Sequence, residues 1–194
     1  IAILAERFAT DHQWYVDVVL QLIRSAGDFV SEEIWYRVVQ IITNQGDELQ
    51  RYATETVWRA LLADPQPHRT LVKVAGYVLG EFGHVIANTP GAGAQQQLAT
   101  LHRHFVTSEP GTRALLLNTY IKLAHTYQEI AAQVAEIFEV HATALDQELQ
   151  QRAGEYLCLS APNLGGVKST VLEMMPHFTE RESVVAKTLT RSLG

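Results

Sequence analysis

Apolar residues recur at helical spacing along nearly the whole chain, and this periodicity constrains the fold more than any motif does. In "WYVDVVLQLIRSAG", Trp14, Val18, Leu22 and Ala26 repeat every four residues, and Tyr15, Val19 and Leu22 share that face. There is no sustained period-two alternation and no Asn-Gly turn between β-rich runs. The pattern predicts an all-α chain. Asp11 is placed to cap the helix that Gly27 stops. Ser31 is placed to cap "EEIWYRVVQIIT", where Glu32 and Glu33 suit the positive end of the helix dipole. Further helices are expected over about 48–62, 69–87, 94–106, 112–126, 128–143 and 146–160, with a short one near 167–175 ended by Pro176. "TERESVVAKTLTRS" reads as a last helix, which brings the total to about ten.

The loops between these helices are short, as between stacked antiparallel neighbours, and both a globular bundle and a solenoid of helix pairs fit that spacing. A recurring phrase bears on the choice. Arg113 and Arg152 directly precede a small residue and a Leu/Tyr/Val stripe, and Arg51 does so with Tyr52 between, in "TRALLLNTYIKLA", "QRAGEYLCLS" and "QRYATETVWRALL". The first two lie 39 residues apart, close to the roughly 40–47 of HEAT and armadillo repeats, whereas Arg51 lies 62 before Arg113. The Arg is expected to bond loop carbonyls or a neighbouring acid, and the small residue to admit the preceding pair closely. Almost every helix is apolar on more than one side, as a helix sandwiched in a stack must be. The expected architecture is a right-handed superhelical solenoid of HEAT/armadillo-like antiparallel helix pairs over 1–176, with a terminal helix or the start of a hinge over 177–194.

At 194 residues the chain can bury a sizeable core, as one domain or a small two-domain array. Its net charge of −6 argues against generic affinity for nucleic acid or anionic membrane. A single cysteine, Cys158, excludes an internal disulfide, and with no signal-peptide pattern the chain reads as cytosolic. It opens on Ile1 in mid-pattern, which reads as a piece of something longer. The apolar run "LVKVAGYVLGEFGHVIA" carries Lys73, Glu81 and His84, so a buried core helix is expected there rather than a membrane span.

The search for chemistry yields little. His102 and His104 are two apart on a helix and point to different faces, and a helix boundary is expected between His125 and Glu129. No His-Glu-x-x-His occurs. No metal site, catalytic residue or cofactor is expected. Glu81, flanked by apolar residues and glycines in "VLGEFG", is either a buried general acid or, on the blander reading, a side chain that reaches out at a helix end or bonds the start of a neighbouring helix. Gly76, Gly80 and Gly83 expose a strip of backbone that can seat a crossing helix. Cys158, on a stripe with Leu157 and Leu159, reads as an inert core thiol. Between Lys122 and Arg152 there is no Lys or Arg, while Glu129, Glu136, Glu139, Asp146 and Glu148 form an acidic stretch that is a solvated face or meets a basic partner.

Longer phrases carry a family resemblance. "IAILAERFATDHQWYVDVVLQLIRSAGDFVSEEIWYRVVQIITN" resembles the trunk of the large adaptins, the helical-solenoid subunits of clathrin adaptor complexes. "LVKVAGYVLGEFG", "TRALLLNTYIKL" and "ELQQRAGEYLCLS" are similar to later trunk helices in the same order. "VLEMMPHFTERESVVAKTL" resembles the passage from trunk to hinge, and with "SEEIWYRVVQI" it points to the alpha branch. The resemblance implies a segment from the C-terminal part of the trunk, without the family's phosphoinositide patch or ear. It also implies a non-catalytic scaffold in endocytosis, cytoplasmic and peripheral at plasma-membrane clathrin-coated pits. Beta-, mu- and sigma-type subunits are the implied protein partners, with endocytic regulators or assembly chaperones as further candidates. Alternation of pairs from Asp11 would put helices 31–44, 69–87 and 112–126 on one side, lining a concave surface. Two rival readings are another vesicle-coat or transport solenoid and an all-α enzyme using Glu81.

Overall fold

The computed structural model describes residues 1–179, which form ten α-helices and four single 3-10 turns, with no strand among them. The helices are α1 (Ala2–Phe8), α2 (His12–Ala26), α3 (Glu32–Asn44), α4 (Asp47–Ala63) and α5 (Arg69–Phe82), then α6 (Ala94–Arg103), α7 (Pro110–Thr126), α8 (Ala131–His141), α9 (Gln147–Leu159) and α10 (Gly165–Val171). Two compact units result: Ile1–Val78 with the segment from Met175, and Leu79–Met174. The expected terminal element over 177–194 lies outside the described residues from 180 onward. Residues 177–179 have no regular secondary structure.

Local chemistry explains most boundaries. The Asp11 carboxylate accepts from the Trp14 amide at 2.7 Å and opens α2. Gly27 closes it with φ 57°, its N–H donating to the Ile23 carbonyl. The ring of His68 lies where a Gly27 side chain would have to go. Ser31 holds the position before α3, but its hydroxyl makes no capping bond; its carbonyl instead accepts from the Ile34 amide at 3.0 Å. Asp146 does cap α9, accepting from the Leu149 amide at 3.1 Å.

Three helices are shorter than their apolar patterns. The 69–87 run stops being α-helical at Phe82 and continues as a 3-10 turn over Gly83–Val85. The buried Gln97 side chain takes over there, donating to the Gly83 carbonyl at 2.9 Å and the Ala92 carbonyl at 2.7 Å. The 94–106 run ends at Arg103, and Arg113 from α7 collects two carbonyls beyond it, Phe105 at 3.2 Å and Val106 at 2.6 Å. The 128–143 run begins with a 3-10 turn because Tyr127 is extended, and α8 proper starts at Ala131. α1 is an addition that the sequence pattern left unassigned. Its Ala2 and Ala5 are buried and it packs on α2.

Within each unit, helices touch not only the next in the chain but the next but one. In the first unit Arg37 on α3 pairs with Glu6 on α1 at 2.8 Å, and Tyr52 on α4 donates to Asp17 on α2 at 2.7 Å. Lys73 on α5 pairs with Glu32 on α3 at 3.0 Å. The Thr43 hydroxyl of α3 donates to the Val39 carbonyl at 2.8 Å, and so accepts from the Tyr77 hydroxyl of α5 at 3.2 Å. In the second unit Lys122 on α7 pairs with Glu81 at the end of α5, and Gln95 on α6 bonds Gln133 on α8 at 2.9 Å. Arg152 on α9 donates to Asn118 on α7 at 2.7 Å, and Tyr156 donates to the same oxygen. These bonds join residues between 31 and 41 apart, one helix pair per step. Such a neighbour-and-next-neighbour pattern is that of stacked helix pairs.

The core follows the same logic. α7 buries Leu116, Leu117, Tyr120, Ile121, Leu123 and Ala124 around much of its circumference. α5 buries Leu71, Val72, Val74, Ala75, Val78, Leu79 and Phe82. It is the core helix expected from its apolar run, and no helix among the described residues is long and apolar enough to cross a membrane. The glycine strip is used at Gly80, where an added Cβ would stand 3.4 Å from the Cα of Thr119 on α7. Gly80→Ala is therefore expected to stay within about 1 kcal/mol of the parent, better helix propensity offsetting the tight contact. Gly80→Leu is expected to cost about 1–3 kcal/mol by forcing α7 away, read from urea denaturation midpoints.

Candidate functional site

Two kinds of surface could carry function: the polar seam where helices of one row meet, and the residues left exposed outside it. Along α5 the half-exposed positions are Lys73, Tyr77, Gly80 and Glu81, a helical stripe, and nearly everything else on that helix is buried. Along α7 the corresponding stripe is Leu115, Asn118, Lys122 and His125. α3 shows Ile34, Arg37, Gln40, Ile41 and Asn44 in the same way, with Glu33 and Tyr36 exposed beside them. Sequence reasoning singled out Glu81 but not its partner Lys122, and it missed Asn118 and Asn44. Both sit on apolar helices, where an isolated amide is a signal of a specific bond.

Glu81 has a side chain only 6% exposed, and its carboxylate pairs with Lys122, itself 17% exposed. The Lys122 ammonium also donates to the Glu173 carbonyl at 3.2 Å. The bland reading of Glu81 is thus the one realised, with one adjustment. The partner comes from the last turns of α7 rather than from a helix start.

The Arg-small phrase divides in two. Arg113 bonds loop carbonyls as expected, and Ala53, Ala114 and Ala153 are all buried. Arg152, on the second turn of α9, instead bonds Glu148 and Asn118. Arg51 lies on α4, whereas Arg113 and Arg152 lie on α7 and α9, which alternate with it along the chain. This is why 62 residues is no whole number of repeats.

The histidines scatter as their spacing demands. His102 is half buried, its ring 5.8 Å from Tyr120 and 5.6 Å from Phe105, while His104 is buried elsewhere. Phe105 in turn stacks on His141 at 4.7 Å. Burial holds His102 below the usual histidine range. His141 is held down by burial first, then by the charges of His102 and Arg113. The boundary between His125 and Glu129 exists, since α7 ends at Thr126. No group of three metal-ligating side chains occurs among the described residues. Cys158 corrects the expectation of a core thiol: it is exposed, because the buried face of α9 runs through Leu149 and Ala153 instead. In the acidic stretch Glu129, Glu136, Glu139 and Glu148 are exposed, and Asp146 serves as a cap.

The surface of the first unit holds shallow grooves, among them the following two. One of about 380 Å³ runs between α2 and α4 past Asp17, Gln21, Arg24, Thr56 and Arg59. Another of about 480 Å³ lies along Trp14, Val18 and Leu22. Neither encloses a cluster of acid, base and nucleophile. The geometry supplies contact area and fixed polar bonds rather than a reaction centre.

Residues 1–163 match the family described as Adaptin N terminal region. This chain belongs to the adaptin family. It is 49% identical over 180 residues to AP-2 complex subunit alpha-2 of Dictyostelium discoideum, an alignment covering 93% of this chain and 18% of that protein. It is 46% identical over 190 residues to AP-2 complex subunit alpha-1 of Arabidopsis thaliana, covering 96% and 18%. It is 45% identical over 159 residues to AP-2 complex subunit alpha of Schizosaccharomyces pombe, covering 82% and 18%. The chain thus spans under a fifth of these relatives. The all-helical architecture is that of a HEAT/armadillo-like adaptin solenoid. What the match describes is the adaptin N-terminal region; the finer placement, in the C-terminal part of the trunk, is not what it describes.

The ion pair and the histidines each yield a test. Lys122→Met leaves the Glu81 carboxylate buried without its cation and is expected to cost about 3–5 kcal/mol in chemical denaturation. The double variant Glu81→Leu with Lys122→Met is expected to recover most of that loss. Both imidazoles are held neutral by folding, so their contribution is complete above the usual 6.5 and is lost as the pH falls below it, where the unfolded chain binds protons first. The melting temperature is expected to fall on acidification through that range, and less steeply in His102→Phe.

Proposed function

We propose that this chain is a non-catalytic scaffold segment of the large alpha subunit of a clathrin adaptor complex, holding the other subunits in place for cargo selection in endocytosis. The observation that carries the reading is the match to adaptin subunits of AP-2 complexes along 82–96% of the chain. The row of next-neighbour bonds supports it. Stacked pairs tied by ion pairs and amides make a stiff surface of large area, and stable subunit interfaces bury about 2,000 Å² or more. The partners are beta-, mu- and sigma-type subunits, and the location is cytoplasmic, at plasma-membrane clathrin-coated pits. Contact with the membrane is indirect, through the rest of the complex. On this reading 1–176 belongs to a helical-solenoid segment.

The helices that meet partners are α3, α5 and α7, each through its own exposed residues. Tyr36 and Glu33 on α3, Arg69 on α5 and His125 on α7 are their reachable positions, because most of α5 and α7 is already buried. Alanine at these four positions in the full-length subunit is expected to lower recovery of sigma- or beta-type chains in co-purification severalfold while circular dichroism stays unchanged. Undiminished recovery of every partner would remove the assignment of these helices.

A further inference from the structure

Asn44, the last residue of α3, makes two hydrogen bonds to one residue 134 positions away. Its Nδ2 donates to the Phe178 carbonyl at 2.9 Å, and its Oδ1 accepts from the Phe178 amide at 2.7 Å. A residue's own N–H and C=O leave on the same side only when its backbone is extended. In a helix they point toward opposite ends of the axis. A carboxamide carries donor and acceptor side by side, like a peptide group, so Asn44 pairs with Phe178 as an opposing strand residue would.

The surrounding sequence prepares the segment for this. Pro176 lacks an N–H and disfavours helical backbone at Met175, so "MMPHF" reaches Asn44 in non-helical form. Residues 173–177 and Thr179 are exposed, and Phe178 alone in the stretch is half buried. The hold is therefore local, and the two bonds involve only backbone atoms of the bound segment.

We propose that the Asn44 carboxamide is a docking site for extended polypeptide, occupied by this chain's own segment around Phe178. It works as a clasp that fastens the tail of the first unit to the end of α3. The clasp is independent of the proposed adaptor role. It reads backbone conformation and takes any residue at position 178 that has an N–H.

Amide hydrogen exchange and limited proteolysis on the whole chain test this. In the parent, the Phe178 amide is expected to exchange at least about tenfold more slowly than those of His177 and Thr179. Asn44→Ala should abolish the difference and speed subtilisin cleavage within 174–179 by about tenfold. Asn44→Asp keeps the acceptor and should retain part of the protection. Phe178→Ala should keep most of it, and Phe178→Pro, which leaves α3 untouched, should match Asn44→Ala in cleavage rate. Melting temperatures show whether the Asn44 variants stay folded, and Phe178→Pro provides the same reading if they do not. Equal exchange at 177, 178 and 179 in the parent would overturn the clasp. So would parent-like cleavage of Phe178→Pro, or full protection in a folded Asn44→Ala.

Discussion

A helix that is apolar on two sides has to be covered on two sides, and the contacts within each unit follow from that requirement. α7 cannot rest on one neighbour, because Leu116, Leu117, Tyr120, Ile121 and Leu123 do not share one face. Each such side chain gains about 1.5–3 kcal/mol by leaving water, so exposing either face would cost more than a small domain has to spare. α6, α8 and α9 all pack on it. Apolar burial is non-directional, however, and leaves helices free to slide or rotate. The directional part comes from the polar bonds between alternate helices: Glu6 with Arg37, Asp17 with Tyr52, Glu81 with Lys122, and Asn118 with Arg152 and Tyr156.

That division of labour occupies several residues of types that could otherwise serve chemistry. Glu81 is a tie, His102 is an aromatic neighbour of Tyr120 and Phe105, and Asp146 is a cap. A stack stiffened in this way presents its remaining side chains at fixed separations, which suits a part others are mounted on. The Asn44 contact extends the same device to irregular backbone. Gln97 does likewise for the Gly83 and Ala92 carbonyls. In each case a neutral amide satisfies backbone groups that no helix can, without the cost of burying a charge.

The elements most legible in the sequence were those whose signals are local. Asp11 and Gly27 bound α2 because a cap and a stop act within one turn, whereas the helix expected to run to Pro176 already ends at Val171. The glycine strip revealed a close crossing at Gly80, since only backbone presented there lets a second helix approach. Helix ends at Phe82 and Arg103 were harder. The apolar pattern continues past both, and the side chains that replace the helix bonds, Gln97 and Arg113, come from later segments. α1 was too short to show a period. Cys158 was misplaced because a stripe in sequence leaves open which face its neighbours cover.

The sequence by itself determined the helical class, most helix positions, the two-sided burial that calls for stacking and, through long collinear phrases, the adaptin family. These depend on periodicity and local capping, which neighbouring residues encode. The tertiary structure alone decided which polar residues meet: Asn118 with Arg152 and Tyr156, Glu81 with Lys122, Asn44 with Phe178. Pairs separated by 34 to 134 residues leave no periodic trace, because their meeting is fixed by how whole helices and segments pack.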